Sequence, residues 1–176
     1  MYHFRKHLGI CMIRLLLSEI LCLILAISFA ILRASFLINM LGLVCGLTAH
    51  ILLMQNCAAK IADADAKEHR VSGKQISVRK PLLLSAALTV PAFLTYLILC
   101  IRPDSILWLN LFPLLNAPFL QIHHFLIAGT EPFSAIPLFR RMLMALPPLI
   151  TGIAFFSSYQ MRYLSKTAQD NAMRSR

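Results

Sequence analysis

Four long apolar stretches dominate the pattern of residues along this chain. They cover about residues 15–32, 36–54, 81–101 and 142–159. A helix of about 20 apolar residues, rising about 1.5 Å per residue, crosses the hydrocarbon layer of a bilayer. The pattern therefore predicts an all-α polytopic membrane protein with four transmembrane helices in a single domain.

The first stretch carries one charged residue, Glu19. Its Leu, Ile and Phe side chains together favour insertion by roughly 4–7 kcal/mol, which outweighs the one carboxyl near its basic end. A basic start followed by an apolar run also describes a cleavable signal peptide, with Ser28-x-Ala30 as a cleavage motif. Signal peptides have apolar cores of only about 7–15 residues. We therefore predict an uncleaved first span.

The segment 105–128 is apolar enough to cross the membrane but contains two prolines, Pro113 and Pro118. Its polar side chains are Asn110, Asn116, Gln121, His123 and His124. Polar groups and broken helices at membrane depth must lie against protein rather than lipid. We predict that this segment lies in the outer interface or re-enters the membrane against the other helices. A fifth span is the alternative.

The segment 55–80 is the most polar part of the chain and is predicted to be a cytoplasmic loop. Its first half, Ala58 to Glu68, is rich in Ala and is expected to continue the second helix into water. Ser72-Gly73 then predicts a turn.

Composition and charge support a membrane protein. The chain is 59% hydrophobic, whereas soluble domains are about 45–50% apolar. Its 17 Lys and Arg against 7 Asp and Glu give a net charge of +10. These charges are scattered between apolar runs, which argues against a nucleic-acid partner.

The distribution of basic residues predicts the orientation in the membrane. With four spans, 13 basic residues lie on one side of the membrane and 4 on the other, whereas five spans would give 11 and 6. We therefore predict that both termini are cytoplasmic, in the cell membrane.

Two ionisable residues fall inside the predicted spans, Glu19 and His50. Ionisable groups within a membrane are candidates for function. If the first two spans form a hairpin, both residues lie at similar depth. We predict that they pair with each other, and a proton or substrate site is the alternative.

Carboxylates and an imidazole lie close together in the central loop, where Asp63 and Asp65 precede His69. Such groups bind divalent metals. However, residues two apart on a helix point about 200° away from each other, so the two carboxylates do not converge. Basic residues at helical spacing can neutralise them. We predict a solvated helix with internal salt bridges to Lys60, Lys67 and Arg70, and no metal or cofactor.

His123 and His124 form the second imidazole cluster. Adjacent histidines on a helix point in different directions, which disfavours a shared metal ion. We expect interfacial side chains that reach water. The alternative is an outward-facing polar pocket that these histidines form with Asp104, Asn116, Gln121 and Glu131.

The second span contains Gly42-x-x-x-Gly46. Small residues four apart allow two helix backbones to approach closely in lipid. We predict that Gly42 and Gly46 pack against another helix of this chain, and a homodimer face is the alternative.

Two stretches resemble small multi-pass bacterial membrane proteins whose activity is not established. They are Asp65 to Pro81 (DAKEHRVSGKQISVRKP) and Leu114 to Phe119 (LLNAPF), the latter followed by a proline-containing last span. The resemblance implies the same multi-pass architecture and no reaction.

The chain contains no nucleotide-binding, hydrolase or zinc-protease motif. The leading expectation is a non-enzymatic accessory or interaction subunit. Its partners would be the lipid bilayer and another membrane protein or a second copy. A small transporter or transporter subunit is the second hypothesis, with Glu19 and His50 as its site. A membrane enzyme that uses Asp63, Asp65 or His123 is the third.

Overall fold

The computed structural model describes residues 2–31, 36–73, 77–127 and 132–174, which form helices and no strand. The helices are α1 (Tyr2–Ile31), α2 (Phe36–Ser72), α3 (Arg79–Ile101), α4 (Ile106–Leu114), α5 (Leu120–Ile127), α6 (Leu138–Met144) and α7 (Pro147–Arg174). Short 3-10 turns lie at Ala117–Phe119 and Phe133–Ala135.

Four helical segments are long and apolar enough to cross a membrane, which confirms the predicted all-α polytopic fold. They lie in α1, α2, α3 and the continuous stretch of α6 and α7. The helices extend beyond the apolar stretches, since α1 starts at Tyr2 and α2 continues to Ser72. Gly73 ends α2 with φ of 70°, a conformation that glycine adopts without strain. Leu32, the last residue of the first predicted span, lies outside the described ranges.

Contacts between the long helices define their directions. Cys11 contacts Cys57 and Cys22 contacts Gly46, so residue numbers rise along α1 as they fall along α2. These two helices are therefore antiparallel, as expected of a hairpin. One end of the bundle, called the terminal end below, contains the start of α1, the end of α2, the start of α3 and the end of α7. The opposite end is called the loop end.

The α4–α5 segment enters the bundle from the loop end and turns back. At its tip, Asn116 donates a hydrogen bond to Thr95 and the Ala117 N–H donates to Glu19. Glu19 lies 12 residues before the end of α1, and Thr95 lies 6 before the end of α3. At about 1.5 Å per residue, the tip reaches about 9–18 Å inside the helix ends. With 9 and 8 residues, α4 and α5 are each too short to cross a bilayer, so the segment is re-entrant.

Glycines mark close helix contacts within the chain. A Cβ on Gly42 would lie 3.2 Å from Phe29 Cγ on α1, so Gly42 lies close to another helix of the chain. A Cβ on Gly46 would meet nothing within 4 Å, although the carbonyl of Gly46 accepts from the Cys22 thiol. The tightest position is Gly152 on α7, where a Cβ would lie 2.9 Å from Thr89 Cγ2 on α3. The sequence pattern did not single out Gly152.

Large apolar side chains cover the outside of the bundle. Leu16, Val44 and Ile153 are each at least 60% exposed. Only 17–39% of the residues in each candidate spanning window are buried inside the protein. A soluble monomer rarely exposes contiguous apolar surface of this extent, whereas lipid acyl chains solvate it.

Candidate functional site: a cavity beside Glu19

A polar layer crosses the middle of the bundle and is centred on His50. The ring of His50 is hydrogen-bonded through Nδ1 to Ser18 Oγ on α1 (2.7 Å) and through Nε2 to Thr151 Oγ1 on α7 (2.8 Å). All three side chains are buried. Because both ring nitrogens are engaged by hydroxyl groups, the predicted pair between His50 and Glu19 is wrong. His50 instead links α1, α2 and α7.

Glu19 faces the tip of the re-entrant segment rather than another ionisable side chain. Its Oε2 accepts a hydrogen bond of 2.9 Å from the backbone N–H of Ala117. Its Oε1 has no hydrogen-bond partner in the described part of the chain, and no ion pair between described residues includes Glu19. One carboxylate oxygen is therefore free to contact a bound molecule.

Asn116 holds the tip of the re-entrant segment in place. Its Nδ2 donates to Thr95 Oγ1 (3.0 Å) and to the backbone oxygen of Phe112 (2.9 Å), and the side chain is buried. Pro118 follows in the 3-10 turn, where its missing N–H is no loss. The alternative considered for His123 and His124 included Asn116 in an outward-facing pocket. Its burial follows from its contact with Thr95, which lies 21 residues earlier in the chain.

The tip of the re-entrant segment, α1, α3 and α7 enclose a cavity of about 320 Å³. Four of its 14 lining residues are polar: Glu19, Thr95, Asn116 and Thr151. The other ten are apolar: Met12, Leu15, Leu16, Leu88, Pro91, Ala92, Leu114, Leu115, Phe119 and Pro148. The cavity is thus an apolar pocket with a few polar groups, as is usual for sites that bind small molecules.

The rim of the cavity lies on the surface that faces lipid. Leu16 on α1 is 61% exposed, and Leu114 and Leu115 at the end of α4 are also exposed. The cavity therefore opens toward the outside of the bundle beside these three side chains.

A second polar cluster lies near the terminal end and is centred on Asp65. Its carboxylate accepts from Lys80 Nζ and from the hydroxyl of Tyr159, both at 2.6 Å, and lies 3.9 Å from His7 Nδ1. Asp65 is fully buried, so the prediction that it lies on a solvated helix is wrong. The four residues come from α2, α3, α7 and α1, and the cluster ties these helices together.

Two salt bridges connect the polar part of α2 to α7. Asp63 binds Arg162 on α7 through two hydrogen bonds of 2.8 and 3.1 Å, and Arg70 binds Asp170 on α7 at 3.4 Å. The predicted pairing along α2 is therefore incorrect for Asp63. The reason is that α7 continues beside α2 beyond the apolar span.

The two adjacent histidines lie in different environments. His124 is exposed, whereas His123 is fully buried beside the ring of Phe112, with ring centroids 4.6 Å apart. Neither ring nitrogen of His123 has a hydrogen-bond partner among described residues. The expectation that His123 reaches water is wrong, because α5 packs against α4. Of the other residues of the alternative outward-facing pocket, Asp104 accepts a hydrogen bond from Ser134, and Glu131 lies outside the described ranges.

The residues considered for catalysis do not converge. Asp63 and Asp65 point to different partners, and His123 lies in the re-entrant segment. Within the described ranges, no group of three His, Cys, Asp or Glu side chains is placed to hold a metal ion.

No protein-family model, curated protein or solved structure matches this chain.

Proposed function

We propose that this protein binds a small, largely apolar molecule within the bilayer, as a small transporter or a transporter subunit does. The observation that carries the proposal is the cavity of about 320 Å³ that Glu19 lines at the middle of α1. Pockets for small molecules have volumes of about 300–1,000 Å³ and a few polar groups in an apolar wall. An ionisable residue at this depth typically marks a substrate or ion pathway.

The test is saturable binding of a neutral probe. The full chain is purified into nanodiscs of zwitterionic lipid, and a fluorine-labelled phenethyl alcohol is titrated in while its fluorine NMR signal is recorded. We expect a bound signal that saturates, above the linear partitioning into lipid. Ala92→Leu fills the cavity and is expected to weaken binding at least tenfold.

Ala86→Leu is the matched control, since Ala86 is an exposed alanine of the same helix that does not line the cavity. This variant should bind the probe as the unmodified chain does. Binding that never saturates, or that Ala92→Leu leaves unchanged, would overturn the proposal.

Such a result would favour the alternative hypothesis that the protein is an accessory subunit. It predicts that no probe saturates the cavity and that another membrane protein co-purifies in a fixed ratio in mild detergent. In either case the basic terminal end would face anionic lipid or a cytoplasmic partner.

We also propose that the protein lies in the cell membrane with both termini in the cytoplasm. The starts of α1 and α3 and the ends of α2 and α7 lie together at the terminal end, where most basic residues are found. Lys and Arg accumulate on the cytoplasmic side of membrane proteins. A protease-cleavable tag at the C-terminus should be cut in inside-out vesicles and protected in right-side-out vesicles. The reverse pattern would contradict this orientation.

A further inference from the structure

We infer that the molecule bound in the cavity carries an ammonium group on a small apolar body. This inference rests on the proposed function and names the chemical class of its ligand. Its basis is the hydrogen-bonding capacity that the four polar lining residues leave unused.

The side-chain donors of Asn116 and Thr95 are already engaged. Asn116 uses its Nδ2 group for Thr95 and for the Phe112 carbonyl, and the Thr95 hydroxyl donates to the Ala92 carbonyl at 2.8 Å. The hydroxyl of Thr151 is bonded to His50 Nε2, as donor or acceptor according to the tautomer of the ring. Hydrogen bonds within the protein therefore consume the donors that Asn116 and Thr95 could offer to a ligand.

Two acceptors are left over. Glu19 Oε1 and Asn116 Oδ1 have no hydrogen-bond partner in the ranges that the structure describes. A carboxylate accepts only, and an amide oxygen accepts at two lone pairs. A ligand that donates hydrogen bonds satisfies both oxygens, whereas one that only accepts satisfies neither.

The negative charge of the Glu19 carboxylate favours an ammonium over neutral hydrogen-bond donors. No Lys, Arg or His lines the cavity, and the described ion pairs leave Glu19 without a counter-charge. Charged groups inside a membrane normally pair with an opposite charge. An ammonium supplies both that charge and three donors. An anionic ligand would meet Glu19 as a like charge, and the donors of Asn116 and Thr95 are already engaged.

The apolar lining residues favour a ligand whose remaining part is apolar. Ten of the 14 lining residues are apolar, and two of these, Pro91 and Pro148, have no backbone N–H to offer. The ligand class is therefore a small hydrophobic amine, which partitions into the bilayer and reaches the cavity at its exposed rim.

The test compares three fluorine-labelled probes of similar shape: phenethylamine, phenethyl alcohol and phenylacetate. Each is titrated into the full chain in nanodiscs of zwitterionic lipid at neutral pH. We expect the amine to bind about tenfold or more tightly than the alcohol, since hydrogen bonds to charged groups are worth about 1.5–3 kcal/mol. Phenylacetate should bind most weakly.

Glu19→Gln should abolish the preference for the amine, so that the affinities for the amine and the alcohol become similar. The glutamine oxygen can still accept from Ala117, so binding of the alcohol also reports that the cavity is intact. Glu68→Gln is the matched control, because it removes one carboxylate outside the cavity and should preserve the preference.

The outcomes separate the two proposals. If no probe saturates the unmodified chain, the proposed function fails. If the alcohol binds but the amine has no advantage, or if phenylacetate binds more tightly, the ammonium inference is overturned while the binding function stands. A preference for the amine that survives Glu19→Gln overturns it as well.

Discussion

Replacing Asp65 with Asn is expected to destabilise the folded protein by about 3–5 kcal/mol, the usual cost of breaking a buried ion pair from one side. Asp65 is fully buried and accepts from Lys80 and Tyr159 at 2.6 Å each. The amide keeps the shape of the carboxylate but leaves the ammonium of Lys80 without its counter-charge. Because the cluster joins α1, α2, α3 and α7, the loss should affect the whole bundle.

Thermal unfolding of the purified protein in mild detergent measures this effect. The matched control is Asp63→Asn on the same helix, whose partner Arg162 is solvent-exposed. Exposed ion pairs contribute little to stability, so this variant should unfold close to the unmodified chain. Equal unfolding temperatures of Asp65→Asn and Asp63→Asn would contradict the conclusion that the buried ion pair of Asp65 stabilises the bundle.

A double replacement tests how much of the stability of this cluster comes from the ion pair between Asp65 and Lys80. Asp65→Leu combined with Lys80→Met removes both charges, and well-packed apolar residues can replace a buried pair at little or no cost. We expect the double variant to be more stable than Asp65→Asn alone. A double variant that is less stable would show that the hydrogen bond to Tyr159, rather than charge, makes the larger contribution.

Replacing Asn116 with Ala is expected to loosen the re-entrant segment and lower stability by about 1–3 kcal/mol for each buried acceptor left unpaired. The amide group of Asn116 donates to Thr95 Oγ1 and to the carbonyl of Phe112. Without it, the tip keeps only one described hydrogen bond to a long helix, that of Ala117 with Glu19. Amide hydrogen exchange in α4 and α5 should therefore become faster than in the unmodified chain, and this increase should be larger than any increase in α1 and α2.

Exchange followed by mass spectrometry, together with thermal unfolding, measures both effects. Asn110→Ala is the control, because Asn110 lies on α4 and is exposed. It should leave the exchange rates and the unfolding temperature unchanged. If Asn116→Ala exchanges no faster than Asn110→Ala, the tip is held by apolar packing and not by the Asn116 amide.

The candidate site was only partly predictable from the sequence. Glu19 and His50 stood out because ionisable residues are rare within apolar runs, and Thr151, which contacts His50, lines the same cavity as Glu19. Their partners could not be predicted, since Thr151 and Ala117 are 101 and 98 residues away from the residues they contact. The burial of Asp65 was not predicted for a related reason. It shares the buried face of α2 with Ala58, Ile61 and Ala62, a pattern visible in the sequence, but its burial is tolerable only because Lys80 and Tyr159 reach it.

The sequence by itself determined the fold class and the four segments that are apolar and long enough to cross a membrane. Each of these depends on whether a continuous run of residues is apolar enough to leave water, which is a local property of the chain. The tertiary structure alone decided the cavity, the unpaired oxygens of its wall and the buried cluster around Asp65. These depend on which side chains meet across different helices, and a polar group buried in lipid takes whichever partner the packing brings within hydrogen-bond distance.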